Sequence, residues 1–260
     1  LVADGYYNLY PRKKFSKEGF ILTSRGCAHH CTFCSPMCRV SFGKRYRYHS
    51  VNYVVDWVQR LKEQGVDYVT FMDDDFTFSR SRVMELCKAI PPVRWMAHAR
   101  VDDLDFEMLK VMKNAGCELL KIGVESGSPS VLKNIRKTNE PEIWPEKAVE
   151  VGQMSRKLGI DVVAMFLVGV PGEKSEDIEM TKSLIEKMDP YLIQTARYTD
   201  YQKGGYHYGH STDSKRAEQY LYRSFYLRWR FLRNHTRFLP YHLHNLSSSK
   251  KALPYLLNFK

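Results

Sequence analysis

Short apolar runs alternate along this chain with longer stretches in which apolar residues recur every three or four positions. Phe20-Ile21-Leu22-Thr23 is the first run, and it leads into a loop of cysteines. Val51–Gln64 has the helical period and stops at Gly65, a C-terminal cap. The β-rich run Asp67–Met72 ends in three aspartates. The same alternation then predicts a helix over Arg80–Ile90, a strand over Arg94–His98 and a helix over Asp105–Ala115. A strand over Glu118–Val124 and helices over Pro129–Ile135 and Glu142–Leu158 follow. The last unit is the apolar strand Ile160–Val168, the helix Ser175–Met188 and the strand Tyr191–Ala196. Continuous apolar strands separated by helices imply a parallel sheet of the α/β class, covered on both faces.

One loop concentrates the chemistry. In Arg25-Gly26-Cys27-Ala28-His29-His30-Cys31-Thr32-Phe33-Cys34 the spacing is C-x3-C-x2-C, so three thiolates share one short loop. Soft thiolates suit iron–sulfur clusters or zinc. A structural zinc site wants a fourth protein ligand, normally from a second pair further along. Three cysteines on a cluster of four irons leave one iron open to a substrate or cosubstrate.

This loop, with the aromatic Phe33 before its last cysteine, resembles the radical S-adenosylmethionine (SAM) superfamily. The resemblance implies a 4Fe–4S cluster on Cys27, Cys31 and Cys34, whose open iron is chelated by the amino and carboxylate groups of SAM. It also implies a partial (β/α)6 TIM-like barrel, with chemistry at the carboxyl ends of the strands. Further matches are to the subgroup that usually carries an upstream cobalamin-binding domain. They are Phe71-Met72-Asp73-Asp74-Asp75-Phe76, Ala99-Arg100-Val101-Asp102, Asn114-Ala115-Gly116-Cys117, Ile122-Gly123-Val124-Glu125-Ser126-Gly127 and Phe166-Leu167-Val168-Gly169-Val170-Pro171-Gly172-Glu173. Only 26 residues precede Cys27, and no Asp-x-His-x-x-Gly occurs, so cobalamin is expected only through a domain outside this chain.

The resemblance also assigns roles. Phe33 is expected on the wall near the SAM adenine, and Gly169 and Val170 in the adenine-contacting segment. Asp73 and Asp74 are expected at the SAM ammonium, against the alternative of a metal held by the three acids. Arg100 is placed to reach the SAM carboxylate or to form a surface salt bridge. Glu125 and Ser126 are expected on polar parts of SAM, with helix capping at Ser126 or Ser128 as the rival reading. Cys38 is read as a bystander, because four protein thiolates would close the cluster. His29 and His30 are read as packing, and Cys87 and Cys117 as small core residues.

Composition narrows the rest. Six cysteines in 260 residues, with no signal peptide, do not read as a secreted disulfide framework, and the cluster motif implies a reducing compartment, hence the cytoplasm. The longest apolar run, Val162–Val170, falls far short of a bilayer span of ~20 residues. The net charge of +11 is concentrated late: the last 47 residues hold ten Lys/Arg against one acid. Arg216, Arg223, Arg230 and Arg237 line one side of an amphipathic pattern over Lys215–Phe238, opposite Leu221, Phe225, Trp229 and Leu232. This basic helical appendage is read as a wall of the barrel in preference to a nucleic-acid surface.

The expected organisation is a lead-in over 1–19, the barrel over 20–196, and a C-terminal loop and basic helical extension over 197–260. The implied function is reductive SAM cleavage starting radical chemistry, such as methyl transfer or rearrangement, on a small molecule, lipid or peptide. The implied partner is an electron donor such as flavodoxin or ferredoxin. The alternatives are an RNA-modifying radical enzyme and a non-catalytic iron–sulfur protein that binds nucleic acid.

Overall fold

The computed structural model describes residues 2–3, 16–34, 43 and 45–198. Its strands in chain order are β1 (Val2–Ala3), β2 (Glu18–Ile21), β3 (Ser24–Arg25), β4 (Arg47–Tyr48), β5 (Tyr68–Phe71), β6 (Arg94–Arg100), β7 (Cys117–Glu125), β8 (Asp161–Val168) and β9 (Leu192–Arg197). The helices are α1 (Val51–Glu63), α2 (Arg80–Ala89), α3 (Phe106–Asn114), α4 (Pro129–Asn134), α5 (Trp144–Leu158) and α6 (Ser175–Met188). Cys38, the arginine stripe and the rest of the basic extension lie outside the described residues.

Local chemistry sets the boundaries. Ser50 caps α1 by accepting from the Tyr53 amide, and Asp105 caps α3 by accepting from Met108. Gly159 ends α5 in the left-handed region, at φ 71°.

The main sheet has the order β1-β2-β5-β6-β7-β8-β9. The strands from β2 to β9 in that order pair parallel throughout, and β1 adds antiparallel to β2. Six parallel strands with a helical crossover between neighbours make a (β/α)6 sheet that curls without closing. Among the described residues β1 and β9 remain its two edges. A small separate ribbon pairs β3 with β4.

The covering of the sheet departs from the sequence reading. Strand residues alternate between faces. Val69, Trp95, Leu120, Val162 and Ile193 join one core that also takes residues from all six helices, among them Val54, Val83, Met108, Leu132, Ala148 and Leu184. The opposite set, Tyr68, Met96, Leu119, Val163 and Leu192, gathers with Tyr191 in a separate cluster that, among the described residues, contains no helical residue. Among the described residues the helices therefore cover one face, and the other carries an apolar floor. Buried apolar runs on both sides of a strand cannot distinguish a second helical layer from a packed lumen, which is why the sequence suggested two covered faces. Among the described residues no helix is long and apolar enough to cross a membrane.

Candidate functional site

The cysteine loop leaves the carboxyl end of β2 and is tied down by the aspartates that follow β5. Asp73 is fully buried, and its carboxylate accepts from the Thr23 amide at 3.3 Å, the Thr23 hydroxyl at 3.0 Å and the Ser24 hydroxyl at 2.5 Å. Asp73, expected to face a ligand, instead anchors the stem of the loop. Burial raises the pKa of its carboxyl above the ordinary carboxylate value, and the Ser24 and Thr23 donors oppose that rise. Asp75 is also buried and accepts from the Thr77 amide and hydroxyl, while its second oxygen lies 3.1 Å from His29 Nε2. Asp74 alone of the three is exposed. Alternation along the strand end thus sends one acid to the open side and two into the scaffold. Cys27, His29 and Asp75 also bring a sulfur, a nitrogen and an oxygen within 4.8 Å of one another.

Gly26, at φ 86°, turns the chain into the loop. Cys31 is buried, Cys27 half-buried and Cys34 exposed. The Thr32 amide donates to the Ile135 carbonyl at 2.9 Å and the Cys34 amide to the Cys31 carbonyl at 3.3 Å, which fixes the loop against the end of α4. Burial pushes the Cys27 thiol up to about 11, and neighbouring Asp75, Cys31 and Cys34 add to the rise. Cys34 is raised for the same first reason, with Lys137 opposing. Arg100, the last residue of β6, points a guanidinium nitrogen at Cys31 Sγ over 3.7 Å. Its other donors make a two-pronged pair with Asp102 at 3.0 Å and reach the Lys137 carbonyl at 2.7 Å. Its side chain is only 8% exposed, so the salt bridge it makes with Asp102 is a largely buried one. Burial opposes the charge of Arg100, but the Asp102 carboxylate outweighs it and holds the guanidinium protonated.

Across the strand ends, Glu125 closes β7 in the left-handed region at φ 71° and pairs with Lys137 Nζ at 3.0 Å. The two side chains are 8% and 5% exposed. Gly123 makes room for them: a Cβ there would lie 2.6 Å from Glu125 Oε1 and 2.8 Å from Lys137 Nζ. Ser126 turns away from this pair. It is fully buried, lies 3.1 Å from the Thr181 hydroxyl and accepts from the Ser128 amide. Ser128 caps α4 and donates to Asp177. The capping reading therefore holds for Ser128, while Ser126 braces the turn before the helix and Glu125 faces Lys137.

The third wall is apolar. Val131, Ile135, Leu167 and Val170 form a buried cluster, and Phe33 and Tyr198 pack against it. Phe33 and Val170, both expected near the adenine, are thus brought to one patch. Gly169, at φ 78°, donates its amide to Glu173 at 2.6 Å. Cys87 and Cys117 are buried in the main core.

A family model described as the Radical SAM superfamily matches residues 21–185. The chain belongs to the radical SAM superfamily. An uncharacterized methyltransferase of Pyrococcus horikoshii is 33% identical over 202 residues, 74% of this chain and 42% of that protein. A cytidylyl-2-hydroxyethylphosphonate methyltransferase of Streptomyces wedmorensis is 33% identical over 172 residues, covering 63% of this chain and 31% of its own length. The chain therefore spans less than half the length of these relatives. Among solved structures, the radical SAM methyltransferase TsrM of Kitasatospora setae, with cobalamin and a 4Fe–4S cluster bound, superposes with a TM-score of 0.62. It is 24% identical, over 69% of this chain and 34% of that one, a likeness of fold.

The cofactors of a radical SAM barrel are a 4Fe–4S cluster and SAM, and the donor set here fits both. Three soft thiols share a loop, and Arg100 and Lys137 set positive charge beside them, where it offsets an anionic thiolate-bound cluster. The carboxylates of Asp74 and Glu125 and the apolar patch around Val170 offer what an ammonium and a base require. Sequence reading missed Lys137, Asp102 and Trp144. The Trp144 ring sits 5.6 Å from both Arg100 Cζ and Lys137 Nζ, and its indole donates to the Val124 carbonyl at 2.9 Å. Asp102 closes the matched segment Ala99-Arg100-Val101-Asp102 without a role having been given to it; no motif marks Lys137 or Trp144, and the one available signal there is a tryptophan beside a proline at a helix start.

Proposed function

We propose that this chain is the catalytic barrel of a radical SAM enzyme that functionalises an unactivated carbon, with methyl transfer the favoured outcome. The observation that supports this most is the convergence at the strand ends of Cys27, Cys31 and Cys34 with Arg100 at the Cys31 sulfur. In this reading the three cysteines hold the cluster. When bound, the cluster supplies the electron that cleaves the SAM sulfonium. Arg100 and Lys137 stabilise negative charge at that end. Glu125 and Asp74 orient the SAM ammonium, and Phe33 with Val170 takes the adenine against the apolar patch. Asp73 and Asp75 hold the loop still, so that the thiolates are preorganised before binding.

The methyltransferase assignment rests on the relatives, and their greater length supports a cobalamin-binding region in the complete protein. An electron donor such as flavodoxin or ferredoxin and a cytoplasmic location complete the proposal. The test is anaerobic reconstitution followed by reduction in the presence of SAM. Formation of 5′-deoxyadenosine and methionine is expected. A protein that binds zinc in place of iron and leaves SAM intact would sink it.

A further inference from the structure

The start of the cysteine loop meets two donors that a cluster on three thiolates does not take. Asp75 follows β5 and is 1% exposed. Its Oδ1 accepts from the Thr77 amide at 3.2 Å and the Thr77 hydroxyl at 3.0 Å, which fixes the carboxylate. His29 Nε2 lies 3.1 Å from the other oxygen, Oδ2. Phe78 braces the imidazole edge to face at a centroid distance of 5.7 Å, and Tyr46 packs on Phe78 at 4.8 Å. With the Cys27 sulfur, these side chains offer one sulfur, one nitrogen and one oxygen, all within 4.8 Å of one another. Cys31 stands outside the set, with the Arg100 guanidinium 3.7 Å from its Sγ.

A thiolate, an imidazole and a carboxylate are the mixed donors of a tetrahedral zinc ion, with one position left for water. At its usual bond lengths zinc holds ligand atoms about 3.3 to 3.6 Å apart, so the set needs to close by at most about 1.3 Å. We propose that the cluster-free protein carries a mononuclear zinc site at Cys27, His29 and Asp75, and that zinc there excludes the 4Fe–4S cluster. Zinc takes Cys27 as the thiolate and releases the thiol proton. Cys27 cannot serve both metals, so each occupant locks the other out. The exclusion rests on the reading of Cys27 as a cluster ligand; the zinc site does not.

The test uses the complete protein, isolated anaerobically with its thiols reduced and before the cluster is loaded. Zinc(II) is titrated against a competing chromophoric chelator, and the ligands of the bound ion are read by X-ray absorption. One zinc per chain with a single sulfur neighbour is expected. His29→Ala and Asp75→Asn should each weaken binding more than about tenfold, since even an outer-shell partner is worth that much. Asp75→Asn keeps an acceptor for Thr77, and circular dichroism checks that each variant is folded. Cys34→Ala should bind zinc as the native protein does. Three sulfur neighbours, or a loss with Cys34→Ala as large as with His29→Ala, put the ion on the thiolates and overturn the site, as does the absence of stoichiometric binding. Iron uptake during reconstitution reads the exclusion. One equivalent of zinc added first should suppress uptake in the native protein and have no effect in His29→Ala. Undiminished uptake by the zinc-loaded native protein overturns the exclusion. SAM is absent throughout, so failure to cleave it is distinguishable from failure here.

Discussion

Arg100 Nη1 lies 3.7 Å from Cys31 Sγ, while Nη2 of the same guanidinium holds the Lys137 carbonyl at 2.7 Å. One side chain thereby links the cysteine loop after β2, the end of β6 and the segment after α4. A hydrogen bond and a positive charge at a ligand sulfur favour the more negative, reduced state of a cluster. Arg100→Met should lower the midpoint potential, measured by EPR-monitored titration. The loss of one charge-assisted bond corresponds to about a tenfold change in the reduction equilibrium, or about 59 mV for one electron. An unchanged potential in a fully loaded variant would show that the contact does not tune the cluster.

Iron content separates the cysteines. The native protein should carry about four irons and four sulfides after anaerobic reconstitution. Alanine at Cys27, Cys31 or Cys34 should abolish the brown absorbance, and alanine at Cys38 should leave it.

The Glu125–Lys137 pair can be probed without touching either member. Gly123→Ala places a Cβ 2.6 Å from Glu125 Oε1 and 2.8 Å from Lys137 Nζ, so the pair must shift. SAM affinity, measured by calorimetry, should fall about ten- to a hundredfold while iron content is retained. Glu125→Ala should do the same. Native affinity in both would move SAM away from this strand end.

Glu173 makes stability depend on pH. Burial raises its carboxyl from the ordinary 4.5 to about 7, against the pull of the Gly169 amide. A folded-state value above the unfolded one means that the folded protein keeps the proton longer. Its stabilising contribution is therefore complete below about pH 4.5 and is lost as pH rises through about 7. Glu173→Gln keeps an acceptor for Gly169 and removes the titration. The difference in melting temperature between pH 5 and pH 8 should shrink in that variant.

The strands and helices were legible in the chain because glycines, prolines and caps punctuate it. Gly65, Gly116 and Gly159 each follow a helix with positive φ, and the boundaries inferred around them agree with the structure to within about two residues. The cysteine loop was legible as spacing. The partners of the site residues were not. Lys137 follows Glu125 by twelve positions with α4 between them, and only the crossover geometry brings the two together. Asp73 and Asp74 are neighbours of the same type, and nothing in their identity says which one Thr23 and Ser24 will take. The two-residue strands β3 and β4 are too short to leave a pattern.

Among the described residues the sheet runs to β9 without joining β1. Gln194 and Ala196 on that last strand are exposed, and one side of its backbone has no strand partner among the described residues. A fully closed ring fixes its bore by strand number and stagger. An unclosed one separates two properties that a ring would couple. The cysteine loop, Arg100 and the Glu125–Lys137 pair follow or close β2, β6 and β7, none of them the β9 edge. The open edge of β9 lies two strands away from β7. A change along that edge therefore leaves the cysteine loop and the residues around it as they are.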